Sequence, residues 1–389
     1  MNDLTLFDQK NIKSSNIGAI ILAAGQSSRM GKNKALLPIN NKTFIEEEIN
    51  LFHDFGIDKI VVVTGYNTEE IHRVISSEQV MEIHNPDPSR GMFSSVCLGV
   101  KHIASMCDAF FVLPVDIPLI RNCTLKLVLE TWLNDRSRII IPTFENQRGH
   151  PPLFPSSVAE KLLSWDGKNG LQGFLENYKT HIVEVFTPNE YMLLDVDTPQ
   201  DYEIIKNSIN YLSVPNLKEC FALLQYYSVS HKIKTHSKLV ALLAETIAKS
   251  LNEKGLNINP DIVKAAGLLH DIVRYEENHD VKGAKILNDL GFIEVADAIR
   301  NHMDMCIKDS DPITPAEIVF IADKYTLEES FIDIEKRYHL KIEKYEKDAE
   351  IKCSIENKLK CALKSKERIE KQIGMSINSL LSSIGYNIK

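Results

Sequence analysis

An α/β unit followed by an all-helical unit is the fold class that three features of the sequence predict. Short apolar, β-branched runs alternate with stretches of helical apolar spacing through the first half of the chain. Near residue 210 the alternation stops, and helical periodicity continues alone. The 389 residues accommodate two or three domains at one per ~100–200 residues.

Strands are expected at 17–24, 59–64, 79–84, 109–114 and 138–142, with helices at 44–55, 68–75, 94–104 and 124–133 between them. Strands and helices of these lengths in alternation predict βαβ units around a mostly parallel sheet. The runs 181–186 and 192–196 read as further edge strands. Beyond 210–216, which contains Pro215, no strand is expected. Helices are predicted at 217–227, 233–251, 260–270, 281–290, 295–302 and 315–327. A Lys- and Glu-rich helix follows at 334–373, with Ile351, Ile355, Leu359, Leu363, Ile369 and Ile373 along one face. Such a stripe packs on its own domain or pairs with a second copy, which leaves a homodimer open. The expected organisation is a tail at 1–16, an α/β domain at 17–210, a helical domain at 211–330 and a helical extension at 331–389.

Composition narrows the function classes. Hydrophobic residues make up 44% and charged residues 25%, which sets aside disordered, collagen-like and disulfide-scaffold classes. Lys plus Arg is 45 against 53 Asp plus Glu, a net charge of -8. That argues against a broad nucleic-acid surface but permits a local basic pocket for a nucleotide. No apolar run approaches the ~18–20 residues of a membrane helix. The start Met-Asn-Asp-Leu-Thr has no basic, then apolar, signal pattern. The seven cysteines (97, 107, 123, 220, 306, 353 and 361) are never spaced C-x-x-C, so reduced thiols in a cytoplasmic protein are expected.

The sharpest motif runs Leu22-Ala23-Ala24-Gly25-Gln26-Ser27-Ser28-Arg29-Met30-Gly31-Lys32-Asn33-Lys34. An apolar strand enters a loop of small residues, where backbone N–H groups can approach phosphate oxygens. Arg29, Lys32 and Lys34 can neutralise a triphosphate and its leaving pyrophosphate. Neither G-x-x-x-x-G-K-[S/T] nor G-x-G-x-x-G is present, which removes the commonest rival nucleotide loops. Asp116, in Leu113-Pro114-Val115-Asp116-Ile117-Pro118, lies at a strand's C-terminal end, where α/β sheets bind ligands. A second strand-end pair lies in Leu194-Asp195-Val196-Asp197-Thr198-Pro199. Asp116 and Asp197 are the chosen partners for one shared Mg²⁺.

These motifs resemble the MobA-like nucleotidyltransferases, and most closely the molybdenum cofactor cytidylyltransferases. The likeness continues through His84-Asn85-Pro86-Asp87, Gly91-Met92, Ser94-Ser95-Val96 and Gly149-His150-Pro151, in order across 17–208. It implies a Rossmann-like sheet in which Leu22, Ala23, Ala24, Gly25, Arg29, Lys34 and Asp116 bind the nucleotide. Lys34, Arg29 and Asp116 would carry catalysis, Asp116 and Asp197 would hold Mg²⁺, and Asn85, Ser95, Gly149 and His150 would shape the acceptor side. Relatives that transfer guanylate commonly carry Gly-Gly where this chain has Ala23-Ala24, which favours CTP and leaves other nucleoside triphosphates open. The implied reaction is in-line attack of an acceptor phosphate on the α-phosphorus, with pyrophosphate leaving. A molybdopterin-type cofactor is the implied acceptor, with a molybdenum enzyme as a candidate partner. Sugar- or choline-phosphate acceptors, and a non-enzymatic cofactor chaperone, are the alternatives.

The second half carries His231, His236, His270-Asp271, His279, His302 and Asp323. Imidazoles and carboxylates projecting from separate helices into one bundle can build a metal site, with donors that suit Fe, Mn, Zn, Co or Ni. His231 has no assigned role. The rest resembles the HD-domain phosphohydrolases over roughly 230–330: His236 matches the first histidine, His270-Asp271 the doublet and Asp323 the closing aspartate. His279 and His302 match the extra histidines of two-metal sub-families, so the resemblance implies one or two ions, with Asp271 catalytic and bridging. Arg274 is a candidate for facing a substrate phosphate. The implied chemistry is attack of metal-activated water on a phosphoester or phosphoanhydride. The alternative is a regulatory nucleotide-binding module.

Overall fold

Seven consecutive buried residues, Ile17–Ala23, form β1, the spine of an eight-stranded sheet. The computed structural model describes residues 16–27, 30–209, 212–305, 307–308 and 310–388. The expected tail at 1–16 falls outside them except for Asn16. The chain divides into two units that part after Leu212.

The first unit runs through β1, the short hairpin β2 (Pro38–Ile39) and β3 (Lys42–Thr43), α1 (Phe44–Asp54), β4 (Lys59–Thr64), α2 (Thr68–Ile75) and β5 (Met81–His84). It continues with α3 (Met92–Ile103), β6 (Ala109–Pro114), α4 (Asn122–Asn134), β7 (Ile139–Phe144), β8 (Gln147–Arg148) and β9 (Leu153–Pro155). Helices α5 (Ala159–Leu163) and α6 (Gly170–Asn177), strand β10 (Ile182–Phe186) and α7 (Pro199–Ser208) complete it. The sheet order is β10-β7-β9-β6-β1-β4-β5, with β8 paired to β7. Strands β1, β4 and β6 are buried on both faces by helices, so they read as unbroken apolar runs rather than alternating ones.

The chain leaves β1 toward β4 and β5, then returns to pair β6 on β1's other side. The crevice between β1 and β6 is therefore the switch point where such sheets bind ligands. Register aligns Leu22 with Pro114, so the loop after β1 and the turn carrying Asp116 leave the sheet side by side. Two expectations change. Strand β9 is antiparallel between β6 and β7 and lies where no strand was expected. Residues 192–196 form no strand: the Asn189 side chain accepts from the Tyr191 N–H and starts a 3-10 turn over Glu190–Leu193.

The second unit contains α8 (Leu217–Tyr226), α9 (His231–Glu253), α10 (Pro260–Leu269), α11 (His279–Asp289), α12 (Ile293–Ile299) and α13 (Pro315–Lys324). A two-strand hairpin, β11 (Thr326–Leu327) and β12 (Ser330–Phe331), then leads to α14 (Ile334–Lys344), α15 (Ala349–Ile373) and α16 (Ile377–Ser383). The hairpin corrects the all-helical expectation: Glu328, at φ 54°, turns the chain back. The single helix expected at 334–373 is two, because the chain leaves α14 at Tyr345 and the Asp348 side chain caps a new helix. Within the stripe Ile369 and Ile373 are buried, whereas Ile351 is exposed. Side-chain caps at Ser230, Asn259 and Thr314 start α9, α10 and α13, each worth about 1 kcal/mol.

Helix α10 presses against α9 at Gly267, where a Cβ would lie 2.6 Å from the Ala241 Cα and 2.8 Å from its N. Backbone cannot yield as a side-chain tip can, so Gly267→Ala must spread the two helices. The expected cost is about 1–3 kcal/mol, read as a lowered Tm by thermal denaturation.

Candidate functional site

The first unit brings its predicted nucleotide-side residues, Arg29 aside, to one pocket. Leu22, Ala23, Ala24 and Gly25 line it together with Lys34, Ser95, Asp116 and Asp197, around a volume of about 300 Å³. The loop is tied back on itself: the Lys34 N–H donates to Ser27 Oγ at 3.0 Å. The Asn33 side chain then caps the 3-10 turn Lys34–Leu36. The Val196 N–H donates to the Asp116 carbonyl at 2.9 Å, bringing the segment with Asp197 to the end of β6. A capping box between Thr198 and Asp201 starts α7 immediately afterwards. The Lys34 ammonium sits between the two carboxylates, 2.9 Å from Asp116 Oδ2 and 2.5 Å from Asp197 Oδ1. Burial pulls its pKa down, but the Asp197 hydrogen bond and the Asp116 charge outweigh that, and the net direction is up. Two carboxylates converging on one cation are a donor set that suits Mg²⁺. Arg29 lies outside the described residues. Lys32 is exposed and does not line the pocket.

A second, larger cavity of about 1130 Å³ shares Gly91 and Met92 with this pocket and is lined by Asn85, Gly149 and His150. Asn85 donates to Ser94 Oγ and Ser95 Oγ, both at 2.9 Å, and accepts from the Asp87 N–H. At Gly149 a Cβ would meet Met192 Cγ at 2.7 Å, so the strand end needs glycine there. Burial lowers the His150 pKa, and its Nδ1 has no hydrogen-bond partner. Glu48 of α1 went unnoticed in the sequence. It is fully buried, and burial raises its pKa well above the carboxylate range, with the Asp116 charge acting in the same direction. Its place within an apolar helix face, Phe44-Ile45 to Ile49, was the available signal.

In the second unit six predicted residues from five segments meet. His236 comes from α9, His270 and Asp271 follow α10, His279 opens α11, His302 follows α12, and Asp323 lies in α13. The left-handed Asn278 (φ 54°) turns the chain so that α11 can start with His279 facing inward, nine-tenths buried. The Asp271 carboxylate is divided between two sets. Its Oδ2 lies 3.4 Å from His270 Nε2 and 4.0 Å from His236 Nε2. Its Oδ1 lies 3.3 Å from His279 Nε2 and 3.6 Å from His302 Nε2. Asp323 Oδ1 completes the first set, 3.2 Å from His236 Nε2.

The rings are aimed by their far nitrogens. His270 Nδ1 donates to the Gly267 carbonyl at 2.9 Å and His302 Nδ1 to the Ile299 carbonyl at 2.8 Å. A carbonyl only accepts, so each Nδ1 carries a proton, and in the neutral ring Nε2 keeps its lone pair for a metal. Both Nε2 atoms are buried without a hydrogen-bond partner. Orphaned imidazole nitrogens facing carboxylates fit divalent metal ions. Burial acts to raise the Asp323 pKa, but the charges of Lys324 and Arg337 outweigh it and hold the carboxylate well below its ordinary value. Lys324 Nζ lies 2.7 Å from Asp323 Oδ2, and Arg337 of α14 donates to the Asp323 and Thr326 carbonyls. Sequence reading missed both cations, since nothing in the spacing places α14 behind α13. Arg274 Nη1 stands 3.3 Å from Asp271 Oδ1, at the mouth of the cluster. His231 is exposed at the start of α9.

Both units match families of known proteins. Residues 19–183 match the profile of the MobA-like NTP transferase domain, and residues 233–328 that of the HD domain. The molybdenum cofactor cytidylyltransferase of Escherichia coli (strain K12) is 30% identical over 189 residues, which are 48% of this chain and 94% of that protein. The chain belongs to the MobA-like NTP transferase family. A probable molybdenum cofactor guanylyltransferase of Bacillus mycoides is 26% identical over 194 residues, 48% of this chain and 94% of that protein. Among solved structures, a cytidylyltransferase from Leptospira borgpetersenii is 21% identical, with TM-score 0.42, over 51% of this chain and 87% of that one. This MobA-like member thus continues, beyond its transferase half, into an HD domain. No helix among the described residues is long and apolar enough to cross a membrane.

Proposed function

We propose that the first unit transfers a cytidylyl group from CTP to the phosphate of a molybdopterin-type acceptor, and that the second unit is a two-metal phosphohydrolase. The observation that supports the first is the convergence of the small-residue loop, Lys34, Asp116 and Asp197 on one pocket beside a much larger cavity. The N–H groups of the loop and the Lys34 ammonium would bind the triphosphate. Asp116 and Asp197 would hold Mg²⁺, which when bound neutralises charge on the phosphates. An acceptor phosphate oxygen forms the new bond to the α-phosphorus while the bond to the bridging oxygen breaks and pyrophosphate departs. That oxygen is already ionised, so no protein base is required. The large cavity offers Phe93 and Trp165 to a planar acceptor, and Arg90, Lys101 and Arg148 to its negative charge.

For the second unit the supporting observation is the Asp271 carboxylate, with one oxygen toward each histidine pair. His236, His270 and Asp323 would hold one ion and His279 and His302 the other, with Asp271 shared. Metal bound there would supply an activated water whose oxygen bonds to phosphorus as the ester or anhydride oxygen departs. Arg274 is placed to hold the substrate phosphate, and Lys324 and Arg337 keep Asp323 ionised.

The deciding experiment is pyrophosphate release with CTP, GTP, ATP or UTP plus Mg²⁺, with and without molybdopterin-type cofactor. Release with CTP that depends on the cofactor is expected. Release that requires a sugar-phosphate or choline-phosphate instead would replace the acceptor while retaining the transferase. Elemental analysis that finds the second unit without metal would favour a regulatory nucleotide-binding module over a hydrolase.

A further inference from the structure

We propose that Arg274 controls occupancy of the second metal position in the helical unit: its guanidinium holds the atoms that ion needs, and yields them when it turns outward to a phosphate. The proposal rests on the two-metal phosphohydrolase reading of that unit and names how its second position is regulated.

Arg274 Nη1 stands 3.0 Å from His279 Nε2 and 3.3 Å from Asp271 Oδ1. A guanidinium only donates, so His279 Nε2 is the acceptor and turns its single lone pair to that N–H. The same two atoms, 3.3 Å apart, are the ones assigned above to the second ion. One lone pair cannot serve an arginine N–H and a metal together. Two cations crowded on one carboxylate oxygen also repel each other. Guanidinium and ion therefore exclude one another at His279.

The two halves of the cluster differ in this respect. In the other half Lys324 Nζ bonds Asp323 Oδ2, while Asp323 Oδ1 faces His236 Nε2 at 3.2 Å. The His270 Nε2 of that half is buried without a hydrogen-bond partner. Its donors are thus set for a first ion, whereas the second ion must displace a side chain. Arg274 is free to leave: its side chain is 42% exposed, and its further contact, to Met303 Sδ at 3.9 Å, is weak. A phosphate oxygen gives the displaced guanidinium a charged partner in place of Asp271. Binding of the second ion and binding of phosphate therefore favour each other through one side chain.

The test is Mn²⁺ titration of the full-length chain, in wild type, Arg274→Met and Arg274→Lys. It is read by calorimetry and by the electron paramagnetic resonance signal of paired ions. Methionine keeps an apolar stem without the N–H groups or the charge. Arg274→Met is expected to bind the second ion about tenfold tighter than wild type, the worth of one hydrogen-bonded charged contact. Its affinity for the first ion should be unchanged, which a general loss of structure would not produce. Arg274→Lys keeps a cationic donor and should fall between the two. Inorganic phosphate should tighten the second ion more in wild type than in Arg274→Met, because only wild type has a guanidinium to draw away. Equal second-ion affinity in wild type and Arg274→Met overturns the proposal, as does an equal effect of phosphate on both. A single class of bound ion in all three proteins removes the two-metal reading itself, and this inference with it.

Discussion

Lys34→Ala is expected to lower nucleotidyl transfer by about 10²–10³-fold, the usual effect of removing one group aimed at developing charge. Its ammonium bridges the paired carboxylates, at 2.9 Å from Asp116 and 2.5 Å from Asp197. The same substitution has a second, opposite consequence. With the ammonium gone, the two carboxylates lose a positive neighbour that competes with Mg²⁺ for their oxygens. Mg²⁺ in the absence of nucleotide should therefore bind more tightly to Lys34→Ala than to wild type, as read by calorimetry. Asp116→Asn should lose both transfer and Mg²⁺ binding. Circular dichroism should show all three proteins equally folded, because these side chains contact the pocket rather than the sheet core. Normal pyrophosphate release from purified Lys34→Ala or Asp116→Asn would remove the assignment of this site.

Asp271→Asn is expected to have the corresponding effect in the second unit. Its two oxygens serve different histidine pairs, so one substitution weakens both halves of the cluster. Elemental analysis should show metal falling from about two ions per chain to below one. The double variant His279→Ala/His302→Ala should keep about one, held by His236, His270, Asp271 and Asp323. Metal removal by a chelator should also lower Tm, because ions that bind only the folded cluster stabilise it by about 2.7 kcal/mol at a hundred times their Kd. Equal metal content in wild type and Asp271→Asn would exclude this cluster as the metal centre.

Much of the fold was legible because its strands and helices carry strong local patterns. The β1 run is buried at every position, so its apolar stretch announces a central parallel strand. What escaped reading was short or set by distant partners. Strand β9 has three residues, and its place between β6 and β7 is decided by pairing across the sheet. Residues 192–196 have strand-like composition, yet Asn189 turns the chain, and the Val196 N–H bonds the Asp116 carbonyl instead of a ladder. The break at 345–348 within the expected long helix depends on a cap at Asp348 that the Lys- and Glu-rich pattern obscured.

The kinds of residue at each site could be read from the chain, because loops of small residues, strand-end aspartates and a His-Asp doublet are local features. Their mutual geometry could not. Asp116 and Asp197 are 81 residues apart and share a cation where a backbone hydrogen bond, Val196 N–H to the Asp116 carbonyl, joins their segments. The division of the Asp271 oxygens between two histidine pairs follows from helix packing, tight at Gly267 against Ala241, and from carbonyls that orient the rings. Arg337 reaches Asp323 from a helix whose own sequence carries no metal signal. Periodicity and motif act over a few residues, so sequence specifies the elements and the reactive groups. Distances between groups on separate elements come from packing, which brings together residues that the chain holds far apart.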